Sequence, residues 1–418
     1  MKGSFLLLFL LLFTLAVKAS SILINMDEDQ KNHLKAYGIA YWSIKQNAEV
    51  NWLLNYKGGS FLIKYAKVIE DECKVRGVSY TVLADAKVND ILNEISDPEV
   101  NMEIVKLEKA PKIAVYSPKS KLPWDDAVTL VLTYAEIPYD IIYDDDVLKD
   151  KLSGYDWLHL HHEDFTGQYG RFWSTFKNAS WYQEDVKNQE ATAKRNGFSK
   201  VSAMKLAVVK RMREFCVGGG FLFAMCSATD TFDIALSADG VDICASMFDG
   251  DAEDPNAQEK LNFSNTFAFK NFRLNQNPVS YGFSDIDVTQ TRNLTQQNDY
   301  FTLFDFSAKS DLVPTMLTQN HERVIKGFMG QTTAFRKNLL KPSITVLGEN
   351  KGAAEVRYLH GEVGKGQFTF YGGHDPEDYQ HIVGDPPTDL NLHPNSPGYR
   401  LILNNVLFPA AKKKPQKT

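Results

Sequence analysis

The chain has only four cysteines in 418 residues, Cys73, Cys216, Cys226 and Cys244. That is too few for a disulfide-built scaffold, although one or two bridges stay open in an oxidising compartment. No CxxC pair occurs, which removes zinc-ribbon and thioredoxin-like readings. There is no surplus of basic charge either. The formal net charge is −6, which argues weakly against nucleic acid as a partner because phosphate binding needs a basic surface. No Gly-x-x-x-x-Gly-Lys-Ser/Thr loop is present, so ATP-driven chemistry has no phosphate cradle. Beyond the first twenty residues no run is long and apolar enough to span a bilayer.

The first segment has a single early lysine, Lys2, and then an apolar run from Phe5 to Val17 broken only by Thr14. It closes on Val17-Lys18-Ala19, with small residues where a signal peptidase reads. Residues 1–19 therefore read as a cleaved signal peptide, with the mature chain starting near Ser20 and exported to a periplasmic or secreted location. About 400 residues then remain, enough for two domains or one large decorated one. At 44% apolar and 23% charged residues, the composition supports a sizeable core. The lysines at 412, 413, 414 and 417 form a basic tail over residues 411–418, read as a solvated end.

Residues 20–110 form a first α+β unit. Residues 38–42 and 50–54 read as paired strands, 64–74 and 88–95 as helices, 79–83 as a strand and 98–111 as a linker. Strand–helix alternation begins at Lys112, the signature of an α/β layer. Residues 113–116, 139–143 and 157–161 are short apolar strands, and a helix opens after Asp125-Asp126 with acids at the positive end of its dipole. Residues 166–198 read as an inserted polar and aromatic loop. Val201, Met204, Val208, Met212 and Phe215 recur at helical spacing up to Gly218. Phe221–Met225 is an apolar strand, which belongs at the centre of the sheet, and Ala228–Ser237 is a helix. Residues 239–311 read as a β-rich insertion without a clear helix. A strand at 344–347, a hairpin over 355–371 and a helix at 398–407 close the fold, so residues 111–410 make one α/β domain with two insertions.

The chemistry-bearing residues cluster at strand ends. Cys226 stands between an apolar strand and a helix, where a sharp turn exposes a nucleophile and the helix N-terminus favours thiolate. A free thiol there, partly accessible, is expected to titrate below the ~8.5 of an ordinary cysteine. The Ser227 amide would face a developing oxyanion. A second strand ends in Gly372-Gly373-His374-Asp375-Pro376-Glu377, supplying a base and carboxylates to orient it. A third ends in His161-His162-Glu163-Asp164, and His162, Glu163 and Asp164 would lie where open α/β sheets bind ligands, either to bind substrate or to hold a divalent metal with other acids. Asp144-Asp145-Asp146 reads as a solvated turn. Asp249-Gly250-Asp251 is similar to a calcium loop but lacks the EF-hand ligand spacing. The motifs assign no metal and no cofactor.

The Cys elbow, the late His-Pro-Glu motif and the closing helix over 397–405 together resemble the class I glutamine amidotransferase-like superfamily. Among its members they look like exported proteins labelled "asparagine synthetase B family". The resemblance covers roughly residues 112–237 and 340–408. It implies a doubly wound, mostly parallel sheet and a Cys-dependent hydrolase or transferase acting on an amide or related acyl bond. In that scheme Cys226 attacks, His374 moves the proton, and Glu377 or Asp375 orients His374. Two departures are visible. The family elbow Gly-x-Cys-x-Gly carries Ala224 and Ala228 here, and Glu377 stands three residues after His374 rather than two. The other class of function is a non-catalytic binding protein that keeps the fold and reads a small-molecule, glycan or peptide ligand with its insertions.

Overall fold

The computed structural model describes residues 20–118, 120, 122–311, 313–318 and 322–411. The signal-peptide reading of residues 1–19 and most of the basic tail lie outside them. Among the described residues the chain forms two sheets.

The smaller sheet is built from β1 (Ser21–Ile24), β2 (Val50–Leu54), β3 (Ser60–Lys64), β4 (Thr81–Leu83) and β5 (Glu103–Leu107), in the order β4-β1-β3-β2-β5. Every pairing in it is antiparallel. Two expectations fail here. The stretch expected as a first strand at 38–42 lies inside the helix His33–Lys45, and the expected linker contains β5. That helix is buried along almost its whole length. A helix covered all round carries no polar face, so its apolar run imitates a buried strand.

The larger sheet uses β6 (Ile113–Tyr116), β7 (Asp140–Ile142), β8 (Trp157–Leu160), β9 (Phe221–Met225), β10 (Tyr300–Leu303), β11 (Val324–Lys326), β12 (Phe335–Arg336), β13 (Thr345–Asn350), β14 (Glu355–Val363) and β15 (Gly366–Tyr371). Its order is β11-β10-β13-β14-β15-β9-β8-β6-β7, with β12 beside β14. The five strands from β15 to β7 are parallel, and the remainder extend the sheet antiparallel. The expected central place of Phe221–Met225 is found: β9 lies between β15 and β8, and β6 is next in line. Alternate residues of these strands face two different cores. Ile113, Val115, Phe223 and Met225 pack with the helices Ala127–Tyr134 and Pro397–Leu407, whereas Ala114, Leu158, Leu222 and Ala224 pack with Val201–Gly218 and Ala228–Ser237. Covering both faces is what a parallel sheet requires. The chain is a mixed α/β protein.

The insertions differ from their expected form. Residues 166–198 contain the helix Ser180–Arg195. Residues 239–311 hold two one-turn helices, Ser246–Asp249 and Ala257–Lys260, and one strand, β10. Asp144 is no solvated turn residue. It starts the helix Asp144–Leu148 and is fully buried against Lys205.

Candidate functional site

The parallel strands deliver their carboxyl ends to one region. β15 runs beside β9 with Tyr371 opposite Met225, so the residues that follow each strand emerge side by side. The Cys226 N–H donates to the Gly373 carbonyl at 3.1 Å, and the Ala228 N–H donates to the His161 carbonyl at 2.9 Å. Two backbone bonds thus tie the ends of β15, β9 and β8 together. Gly373 is required at its position. Its φ is +104°, and a Cβ there would lie 2.5 Å from the Phe328 ring.

Cys226 has φ +50°, a left-handed conformation that a side chain enters at a cost of about 1–2 kcal/mol. Such strain at a strand-to-helix turn is the geometry of a nucleophile elbow. All four cysteines are free and buried. The expected low thiol pKa is not found: burial pushes the Cys226 thiol up to about 11, against backbone N–H groups of Gln331, Thr332 and Ser227 that favour its thiolate. Cys226 is also buried rather than partly accessible. Ser227 is fully buried, and its hydroxyl has no hydrogen-bond partner among the described residues.

His374 lies among other imidazoles. Its ring is 4.3 Å from that of His381 and parallel to it, 4.7 Å from His161 and 5.3 Å from His162. The His161 and His162 rings stack at 4.2 Å. Burial, followed by the neighbouring histidines, holds His374 well below the usual histidine range, and burial with His161 does the same to His162. Burial thus favours the neutral form of His374 and of His162.

Behind them stands a carboxylate. Asp126 caps the helix Ala127–Tyr134 through the N–H groups of Val128 and Thr129. It also meets His159 Nε2 at 3.1 Å, while His159 Nδ1 bonds the Phe223 carbonyl. The other Asp126 oxygen is 3.4 Å from His161 Nδ1, close enough to attract but misaligned as a hydrogen bond. Asp125 stands 3.5 Å from His381 Nε2, and Asp378 is 3.1 Å from His381 Nδ1. Neither ring nitrogen of His161 or His374 has an aligned hydrogen-bond partner among the described residues, nor has either oxygen of Asp125. Leaving a buried polar group unpaired costs about 1–3 kcal/mol each. So many in one place mark a site built for something else.

The other expected site residues are placed as follows. Glu377 directs its carboxylate to His393 Nδ1 at 3.1 Å. Asp375 accepts the Glu377 N–H on one oxygen, and its other oxygen is unpaired. Asp164 is committed to its own loop, accepting from Thr166, Gln168 and Gly170. Glu163 is buried, its carboxyl pushed up to about 8 by desolvation and 3.4 Å from the Tyr143 hydroxyl. His162 forms one wall of the site and is joined by an aromatic group. Trp124 packs on His162, Phe172 and Trp181 at 5.7, 5.3 and 5.1 Å.

Two other features lie apart from this group. The acidic stretch closes on Lys200, whose ammonium reaches Asp242 and Asp251 at 2.5 Å and Asp249 at 3.2 Å, so a cation already sits there. A groove of about 1600 Å³ lined by Gly219, Phe221, Gly366 and Gln367 lies at the amino ends of β9 and β15. It is at the opposite end of the strands from the histidines.

No family model and no curated protein matches the chain. Among solved structures it is similar to two cytoplasmic proteins of Salmonella typhimurium. STM3548 is 11% identical, with a TM-score of 0.34, and STM1381 is 14% identical, with a TM-score of 0.35. Each match covers 72% of this chain and 100% of the other. The GH42 beta-galactosidase Gan42B is 12% identical over 64% of this chain and 28% of its own, with a TM-score of 0.27. Likeness at this level carries no argument about fold or activity. The site must be read from its own geometry.

Proposed function

We propose that the chain is an exported enzyme of the class I glutamine amidotransferase-like type with a doubly wound sheet, a Cys-dependent hydrolase or transferase acting on an amide or related acyl bond. The observation that carries this reading is the left-handed Cys226 at the end of a central parallel strand, with three backbone N–H groups around its sulfur. Those N–H groups offer charge stabilisation without reorganisation, to a thiolate or to a developing oxyanion. Cys226 attacks the acyl carbon and the amine departs with a proton carried by His374. Water then cleaves the thioester, or an acceptor takes the acyl group. The Ser227 amide holds the oxyanion. Glu377 is paired with His393, which leaves the neighbouring Asp375 as the carboxylate to orient His374 in this scheme. His162 and the Trp124 wall meet the substrate.

A second reading is a non-catalytic binding protein with the same architecture. The buried thiol with its raised pKa favours it, as do Ala224 and Ala228 in place of the family's glycines.

Iodoacetamide labelling of the native chain, read by peptide mass spectrometry, separates the two. Cys226 should label well before Cys73, whose thiol burial pushes up to about 12, with a rate rising about tenfold per pH unit below its pKa. The variant His374→Ala should slow labelling at Cys226 and leave Cys73 unchanged. Labelling of Cys226 no faster than the other three would leave the binding protein.

A further inference from the structure

We propose that His161, His162 and His374 hold a divalent transition-metal ion of the zinc class, with Asp126 and His159 as the groups that orient His161. Four observations lead there. One ligand nitrogen from each of the three histidines lies within 4.8 Å of the others. Three imidazoles on one tetrahedral ion at bonds of about 2.0–2.1 Å have nitrogens about 3.4 Å apart, so the rings would draw together by up to about 1.4 Å on binding. His161 and His374 are 1% and 5% exposed, and none of their four nitrogens has an aligned partner among the described residues, so their lone pairs and protons are uncommitted. The His159–Asp126–His161 chain has the form of a second coordination sphere, in which a carboxylate faces one nitrogen of a ligand and leaves the other for the metal. His159 itself is spent, with both nitrogens bonded.

The charge and the donor type set the class of ligand. Two acidic side chains, Asp125 and Asp126, flank the histidines at 3.5 Å from His381 and 3.4 Å from His161, a field that favours a cation over an anionic substrate. Imidazole donors suit zinc, iron, nickel or copper, whereas calcium and magnesium take oxygen. Asp125 and His381 extend the group on the far side of His374, since they too converge with it within 4.8 Å. The proposal goes beyond the Cys226 chemistry and does not rest on it. An imidazole lone pair given to a metal cannot also accept a proton, so loading should silence His374 as a base.

The full chain, stripped with a chelator and titrated with Zn²⁺ or Co²⁺, tests it. Wild type should take up one tight equivalent, and bound Co²⁺ should show visible bands and nitrogen scatterers in X-ray absorption. His161→Ala and His374→Ala should abolish that equivalent. Asp126→Ala should weaken it about 10–100-fold, and His393→Ala, outside the cluster, should bind as wild type. A wild-type chain that takes up no metal, or one whose uptake survives both His161→Ala and His374→Ala, overturns the proposal. If the alanine variants fail to fold, the wild-type absorption spectrum decides: a first sphere of oxygen alone is equally fatal. Iodoacetamide labelling of the same samples keeps the two readings apart. Metal uptake with an inert Cys226 leaves the metal site and removes the nucleophile, and a reactive Cys226 without uptake does the reverse.

Discussion

Several carboxylates in this chain are buried where burial opposes their charge, and Asp287 gives the cleanest consequence. One of its oxygens accepts from the Thr289 N–H, the Thr289 hydroxyl and the Thr333 N–H. Burial still outweighs those bonds and pushes its carboxyl up to about 6. A folded pKa raised above the unfolded value means the folded state holds the proton more tightly. The stabilisation is complete below the ordinary aspartate range near 4 and is lost as pH rises through about 6. Asp287→Asn keeps an acceptor oxygen and never ionises, so it should gain on wild type across that window, by up to about 3 kcal/mol. Its removal also relieves Asp230, which Asp287 helps to keep protonated. Urea denaturation of both proteins between pH 4 and pH 7 reads the difference. A constant offset between them would show that Asp287 does not titrate there. Lys205 illustrates the same scale in the opposite sense. It is fully buried, 3.1 Å from both Asp144 oxygens and 3.0 Å from the Tyr116 hydroxyl. Nothing in the local sequence separates this buried aspartate from its partly exposed neighbours, because its partner stands 61 residues away.

At the scale of elements, the parts legible in the sequence are those whose burial is regular. The strands Ile113–Tyr116, Trp157–Leu160 and Phe221–Met225 are buried throughout and apolar except for His159, because both of their faces are covered, and turn residues bound them. The helix His33–Lys45 was not legible for the same reason reversed. It lies between the small sheet and the closing helix, and its apolar residues show no period. Ser180–Arg195 was hidden by the opposite defect, since it buries only Tyr182, Gln189, Thr192 and Ala193. Cys226 and His374 could be picked out as residues at strand ends. Asp125, Asp126 and His381 could not be joined to them, because only the parallel strand order brings positions so far apart in the chain into one group. The buried helix carries its own test at Gly38, where a Cβ would lie 1.8 Å from the Ala135 carbonyl oxygen. In an open helix Gly→Ala stabilises by about 1 kcal/mol. Here the added methyl must push two backbones apart, and Gly38→Ala should destabilise by about 1–3 kcal/mol, the ordinary cost of overpacking. A thermal melt at or above wild type would mean that the helix and the Ala135 turn do not touch.

For the whole molecule, the two sheets are held as one body by polar contacts as well as by a shared core. Tyr37 in the buried helix donates to Asn404 in the closing helix. Arg400 of that helix reaches the Gly58 carbonyl at 2.7 Å and the Met26 carbonyl at 3.3 Å. These bonds join the two ends of the described chain, so the order of the N-terminal strand bears on the whole fold. β1 sits inside the small sheet, between β4 and β3. The Ser20 N–H donates to the Leu83 carbonyl at 2.8 Å, and the Ser20 carbonyl accepts from Tyr65 at 3.0 Å. Ser20 is therefore the first of the described residues to pair in the sheet. Processing just before Ser20 leaves the sheet whole, whereas trimming to residue 25 would remove an interior strand and leave β3 and β4 with unpaired edges. N-terminal sequencing of the exported chain should begin at Ser20 or within a residue or two of it. A chain engineered to begin at residue 25 should lose cooperative unfolding measured by circular dichroism. Recovery of intact Met1 from the exported fraction would overturn the export reading. A fully stable chain starting at residue 25 would instead show that β1 is dispensable.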